Sequence, residues 1–399
     1  MRMFLSWWKK IKQHWVAVAV TIAIILVLTL IIICIWFNGT GFNGYTQVST
    51  IRTLSGPTAG TVTRTETNQP GKTLWDWLQL LFIPVVLAIA GFWFNHRERK
   101  SAELRADTER KIAQDNQREA ALKEYIDKIS DLLLHGHIRE SEEYSEIRTI
   151  ARVHTLTVLP RLDSGRKRSL LQFLYESGLI EKDNCIINLL GADLSGANLI
   201  RAYLKNASLR GTNLQEADLR GAKLQGADLY NAYLSGAKLN VADLRETDLG
   251  YAQLSPTNLY GANLYGATLN VTDLFEVDFG PAILHAARLD GANLSNAKLS
   301  RVILTNALLK DAKLVHADLR GAELSYSVLD GADIKEADLS GAWLVKSDLI
   351  GANLDGTNLN GAIIAHANFK DATGITNEEI EKQTKSLKGA TMPDGSIHP

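Results

Sequence analysis

The sequence predicts a solenoid, a chain that turns once every few residues and stacks its turns around a filled interior. Three observations predict it. From Leu189 to Phe369 a large apolar residue stands at every fifth position without a slip of register, passing through Leu194, Leu199, Leu204, Leu284, Leu304, Leu344 and Ile364. Two residues before each stands a small one, as at Ala192, Ala197 and Ala202. Asp or Asn often fills the position between and Gly often stands two after the Leu, so residues 192–196 read ADLSG and 217–221 read ADLRG.

No regular element can use a five-residue step. On an α-helix it rotates each Leu by about 140° and scatters the leucines around the cylinder; on a strand it sends them to alternate faces. The chain must therefore bend once per repeat, with the Leu and the small residue inside and the frequent Gly at a corner that needs positive φ. Self-similarity at a fixed short period marks a solenoid whose units bury their apolar faces only against neighbours.

These A-(D/N)-L-x-x units, from 187 to 372, resemble the pentapeptide-repeat family. The resemblance implies an all-β, right-handed quadrilateral β-helix with four repeats per twenty-residue coil. About nine coils stacked at roughly 4.8 Å would give a rod about 43 Å long. It says little about activity, because a fold does not fix function. A lumen filled by Leu and Ala leaves no room for a ligand, so function belongs on the outer faces or the ends. Pro256 and Pro281 fall at outward corner positions and keep the register.

Ahead of the rod the sequence predicts a transmembrane helical hairpin and a small α-helical module. Residues 15–37 carry no charge over 23 positions, enough for a helix to cross about 30 Å of hydrocarbon. They are too long for a signal-peptide core, and no small-residue cleavage pattern follows. A second apolar run, Trp77 to Phe94, contains Pro84, which neighbouring groups can accommodate in a membrane helix. A re-entrant or interfacial segment is its alternative. Trp7, Trp8, Trp15, Trp36, Trp75, Trp77 and Trp93 gather at the ends of the two runs, as interface anchors do. Arg2, Lys9, Lys10 and Lys12 precede the first run and Arg97, Arg99 and Lys100 follow the second. The positive-inside rule then places the 1–14 segment, the rod and the C-terminus in the cytoplasm and the 38–73 loop outside. If the second run (74–94) does not span, the rod changes sides.

Residues 95–121 read as a solvated helical stalk continuing from the membrane segment, supported by Glu119–Lys123 and Glu124–Lys128 pairs. Leu122, Tyr125, Ile126, Ile129, Leu132 and Leu133 open a packed module at 122–186, with further helices expected near 141–159 and 164–177. Asp163 or Ser164 caps the last of these and Gly178 closes it. This module is expected to cover the first coil, since an open strand edge invites aggregation. After Ala372, within 373–399, a short helix from Thr376 to Leu387 is expected to cap the last coil, with Thr376 or Asn377 as N-cap. The polar end, 390–399, reads as disordered or loosely draped. The arrangement resembles membrane-bound pentapeptide-repeat proteins of bacteria, especially cyanobacteria, which implies a multi-pass protein of the cytoplasmic membrane.

Charge and motifs exclude more than they assign. Residues 1–188 hold 24 basic and 19 acidic side chains, and residues 189–372 hold 16 and 21. A net of −5 over the rod is far from the density of duplex DNA, one charge per roughly 1.7 Å. This argues against the alternative that the resemblance suggests, a DNA mimic that binds topoisomerase, and nothing points to nucleic-acid binding. Cys34 and Cys185 make neither a disulfide framework nor a metal cluster. No nucleophile–base set, phosphate loop or dinucleotide fingerprint appears; no catalytic, cofactor or metal residue is assigned, and an enzyme or transport accessory acting through the module or hairpin is a distant alternative. His135 and His137 read as a helix end rather than ligands.

Twenty-residue winding stacks Ile283, Ile303, Trp343 and Ile363 on one face, interrupted by Glu323, with Tyr203 further up. An apolar ladder on a rod's exterior is a candidate contact surface for another chain or for the membrane. The expected function is a non-enzymatic, membrane-anchored scaffold that presents the rod to an unidentified protein partner. Oligomerisation through the hairpin or stalk stays open.

Overall fold

The computed structural model describes Thr29 and residues 74–399, with side chains from Pro84 onward. The expected first span (15–37) and the loop (38–73) therefore lie outside the described residues, Thr29 apart. The chain divides into two units between Arg110 and Lys111.

Helix α1 runs unbroken from Leu74 to Leu134 with Pro84 inside. The second apolar run, the stalk and the opening of the helical module are thus one helix. After Gly91 it contains neither Gly nor Pro, and Ala, Arg, Glu, Lys and Leu all favour helix. Among the described residues no helix is long and apolar enough to cross a membrane. Val85, Leu87, Ile89, Phe92, Trp93 and Phe94 are all exposed on α1.

In the second unit, α1 buries Leu122, Tyr125 and Ile129, one stripe at helical spacing. Glu124 pairs with Lys128 at 2.9 Å as expected. Glu119 instead accepts from Arg166 at 2.9 Å, joining Asp115 and Asp163 around that guanidinium. Helix α2 spans Glu146–Val158, starting later than the sequence pattern suggests because residues 141–145 form turns. A 3₁₀ turn (Leu159–Arg161) leads to α3, Ser164–Glu176. Asp163 caps α3 by accepting from the amides of Gly165 and Arg166, and Gly178, at φ +67°, follows its end.

The rod turns at every repeat by the same device. The Ala192 amide donates to the Leu189 carbonyl at 2.8 Å, while Gly191 between them sits at φ +79°. That combination is a type II turn. Residues other than Gly take the same corner, among them Arg201 at φ +54° and Glu216 at +57°. Between corners each coil pairs in parallel with the coil twenty residues on, from Asp193 with Asn213 to Asn353 with Thr373. Four ladders result, here called faces A to D, beginning at Asp193, Asn198, Tyr203 and Ser208.

The interior is closed. Leu189, Leu194, Leu199, Leu204, Leu284, Leu304, Leu344 and Ile364 are buried, as are the alanines between them. Where Thr replaces Ala, its hydroxyl is satisfied within the core: Thr247, Thr257, Thr272 and Thr357 donate to the carbonyls of Leu224, Leu234, Leu249 and Ile334, all at 2.8–3.0 Å. Pairing continues across both proline corners, through Gln253 with Asp273 and Asn263 with Ile283. Proline cannot reach positive φ; at the second corner Gly280 takes it, at +44°.

Both ends are covered. A hairpin of β1 (Ile180–Glu181) and β2 (Asn184–Cys185) lies on the first coil, with Glu181 bridged to Ala207 and the Ser208 amide donating to Ile180 O at 2.6 Å. The Asn198 amide reaches Ser164 O at 3.1 Å. Open edge groups thus find partners in the helical module.

The far end differs from its expectation. Helix α4 (Asn377–Gln383) has Thr376 as N-cap with Glu379 completing a capping box. The segment beyond it is neither disordered nor loosely draped but forms a further partial coil. Ile363 bridges Ser386, Asn368 bridges Thr391, and Thr391 pairs back onto Ile397. Ala390 and Met392 are buried. The reason is a repeat hidden by a shift of register: Leu387, Gly389, Ala390 and Met392 reproduce the spacing of the rod, with Gly389 at φ +72° and the Ala390 amide donating to Leu387 O.

Candidate interaction face of the rod

The outward position of each repeat precedes the buried Leu, so one residue in five on each face is directed to solvent. Asp and Asn at that position use their side chains locally. The Asp193 carboxylate accepts from the Ser195 amide at 3.0 Å, Asp228 from Tyr230 at 3.0 Å and Asn258 from Tyr260 at 2.9 Å. These are Asx turns that stiffen the corners. Face B, with Asp218, Lys238, Asn258, Asp278, Lys298, Asp318 and Asp338, is such a polar ladder.

Face C carries the predicted apolar ladder. Bridges run from Asn263 through Ile283, Ile303, Glu323, Trp343 and Ile363 to Ser386. Ile283 is 37% exposed and Trp343 50%, while Ile303 and Ile363 are half-buried. Tyr203 stands on the same face and is exposed, but Lys223, Asp243 and Asn263 separate it from the apolar half.

The charge is sorted around the rod, which the sequence order hides. On the coils from Asp273 onward, faces A and B and the corner between them carry Asp273, Glu276, Asp278, Asp318, Asp333, Glu336, Asp338 and Asp355 against Lys298, Lys313 and Lys335. The two corners that border face C carry Arg301, Arg320 and Lys346, and the last partial coil adds Lys385 and Lys388. Glu323 is the one carboxylate on face C among these coils. Arg320 holds Asp318 in a two-pronged pair at 2.8 Å, and that bond keeps the Asp318 carboxyl below the usual range. Lys346 lies 5.4 Å from the ring centroid of Tyr326, an exposed cation–π contact.

Among the described residues no three His, Cys, Asp or Glu are placed to hold a metal ion. His135 pairs with Asp131 at 2.9 Å, His316 lies 3.3 Å from Glu336 and His285 stacks on Tyr265. An open depression beside Pro256 is lined by Arg220, Lys238, Asn240 and Asn258. The Asp330 and Asp348 carboxylates each keep a buried oxygen without a hydrogen-bond partner. Burial, and then Asp330, push the Asp348 carboxyl above its ordinary value.

The pentapeptide-repeat family model matches in eight overlapping copies that together run from residue 187 to 373. No curated protein matches the chain. Among solved structures, HetL of the cyanobacterium Nostoc sp. strain PCC 7120, a pentapeptide repeat protein involved in heterocyst differentiation regulation, is 33% identical; the match covers 58% of this chain and 98% of HetL, with a TM-score of 0.25. Rfr23 from the cyanobacterium Cyanothece 51142 is 28% identical over 31% of this chain and 90% of its own, with a TM-score of 0.27. QnrB1, a plasmid-mediated fluoroquinolone resistance protein, is 18% identical over 49% and 90%, with a TM-score of 0.40. With its five-residue period, type II corners and four parallel ladders, the chain belongs to the pentapeptide-repeat family.

Proposed function

We propose that the protein is a non-enzymatic scaffold, held at the cytoplasmic face of a bacterial inner membrane, whose rod offers flat outer faces to other molecules. The filled lumen carries this reading: side chains occupy the whole interior, so only the outer faces and ends can make contacts. Support for the anchor comes from the charge-free run 15–37 and from the apolar side chains between Val85 and Phe94, which are exposed around α1. Water alone does not favour such a surface. The basic residues before the first run and after the second favour the cytoplasmic side. Two experiments test the reading. The protein should stay with membranes through alkaline carbonate extraction, and protease added outside intact spheroplasts should spare the rod; release by carbonate or digestion from outside would sink the anchor or its topology. Chemical cross-linking in native membranes, read by mass spectrometry, should join the rod to a protein partner, and cross-links confined to copies of this chain would remove the scaffold role.

Mimicry of DNA, the alternative raised by the family, is less well supported. Faces A and B are acidic, but Lys238, Lys298, Lys313 and Lys335 interrupt them, and a duplex imitation needs an unbroken anionic surface.

A further inference from the structure

We propose that the C-terminal half of face C docks on an anionic lipid surface, leaving acidic faces A and B turned toward protein partners. The inference rests on the membrane anchor proposed above and names the ligand of the apolar ladder.

Three observations select that occupant. The first is composition. Ile283, Ile303, Trp343 and Ile363 form an apolar strip flanked by Tyr326 and by exposed Arg301, Arg320, Lys346, Lys385 and Lys388. Apolar side chains in the centre, aromatic rings at the rim and Lys or Arg around them match the layering of a lipid interface, where rings lie at headgroup depth and cations meet phosphates.

The second is sign. Both corners bordering the strip are cationic, so two copies of this chain laid face to face would set like charge against like, and the partner must be anionic. Most acidic residues of the same coils lie on faces A and B and their shared corner. Asp290, Asp311, Asp330 and Asp371 sit at the corner between faces D and A and Asp348 on face D, so Glu323 is the one carboxylate on face C or its two bordering corners. A negative surface thus attracts one side of the rod and repels the other.

The third is tethering. A chain anchored in the bilayer meets lipid at high effective concentration, so a shallow contact suffices. Four apolar residues, two of them half-buried, make a shallow contact; Trp343 is the side chain that stands out furthest, at 50% exposure.

The test uses the full chain with Cys34 and Cys185 changed to Ser and a single cysteine, either Trp343→Cys on face C or Gln253→Cys on exposed face A, carrying an environment-sensitive fluorophore. Each is reconstituted into vesicles of phosphatidylcholine alone or mixed with phosphatidylglycerol, with a lipid-borne quencher. On phosphatidylglycerol vesicles the label at 343 should shift to the blue and be quenched, and high salt should reverse both changes. The label at 253 should not respond, and adding Arg301→Glu with Lys346→Glu should cut quenching at 343 by roughly tenfold. A label at 343 that stays in water on both vesicles, or quenching equal at 253, overturns the proposal. Shielding at 343 in native membranes but not on lipid vesicles assigns the strip to a protein and overturns it too. Flotation with phosphatidylcholine vesicles reads the anchor separately: a protein that fails to float there yet shows the salt-reversible signal at 343 has lost the anchor and kept the docking face.

Discussion

Ile303 and Leu304 are neighbours in sequence and stand in two ladders that obey opposite rules. Leu304 is buried among the leucines of adjoining coils, whereas Ile303 lies on the surface between Ile283 and Glu323. The inner ladder tolerates little besides Leu, Ile and Phe, with Ala, Thr, Ser or Val two residues before. The outer ladder accepts Tyr, Lys, Asp, Ile, Glu and Trp on a single face. The backbone pairs through main-chain groups on both, so outer side chains other than the Asp and Asn that hold Asx turns are released from folding and can be used for contacts. The difference teaches that stability and recognition are written at adjacent positions with almost no overlap.

Substitutions that cross this divide should show it, and the inner ladder should give the largest effect. Leu304→Ala leaves a hole that rigid coils cannot close, and should cost about 2–5 kcal/mol, read as a lower urea midpoint. Next comes a corner where outer and inner meet. A methyl added at Gly280, itself at φ +44°, would run into the ring of Tyr260. Gly280→Ala should cost about 1–3 kcal/mol, and pairing it with Tyr260→Ala should return part of that; no recovery would mean that backbone strain alone is responsible.

A smaller effect, of opposite sign, is expected at Asp348. Its carboxyl is raised in the folded chain by burial and by Asp330, so the folded state binds the proton more readily than the unfolded state. On its account stability falls as pH rises from the ordinary carboxylate value through the raised one. Asp348→Asn should therefore raise the urea midpoint slightly at neutral pH, and the advantage should vanish at or below the ordinary carboxylate range. An advantage that persists in acid would contradict the titration. The smallest effect belongs to the outer ladder itself: Ile303→Asp with Trp343→Asp should stay within about 0.5 kcal/mol of the parent. A large loss would show that these side chains are covered in the folded protein.

Most of the rod was legible because the period is unbroken from Leu189 to Phe369 and a five-residue step has one structural solution. The polar role of Asp and Asn before each Leu was legible for the same reason. The last partial coil was not, since α4 shifts the ladder from a twenty-residue step to the twenty-three that separate Ile363 from Ser386, and a fixed-period reading stops at the insertion. Its signal was nonetheless present in Leu387, Ala390 and Met392. The continuity of α1 from the second apolar run into the stalk was legible, since residues 95–121 hold neither Gly nor Pro; its run-on into the packed module was hidden by the change from charged to amphipathic composition near residue 122. Helical spacing pairs Glu119 with Lys123, but Arg166 on α3 gathers Glu119 with Asp115 and Asp163, a tertiary contact that local spacing cannot reveal. The apolar strip followed from the repeat, while its cationic border emerged only when the corners were stacked.

The left-handed corners have one further consequence. Arg201, Glu216, Tyr251, Val271 and Lys346 adopt nearly the same backbone angle as the glycines, φ between +54° and +59°, at a cost of about 1–2 kcal/mol each for a side chain with Cβ. The coil absorbs that cost whichever side chain is present. A corner is therefore an interchangeable socket, and lineages can rewrite the exterior of the rod residue by residue, drawing on a reserve of stability held in the leucines.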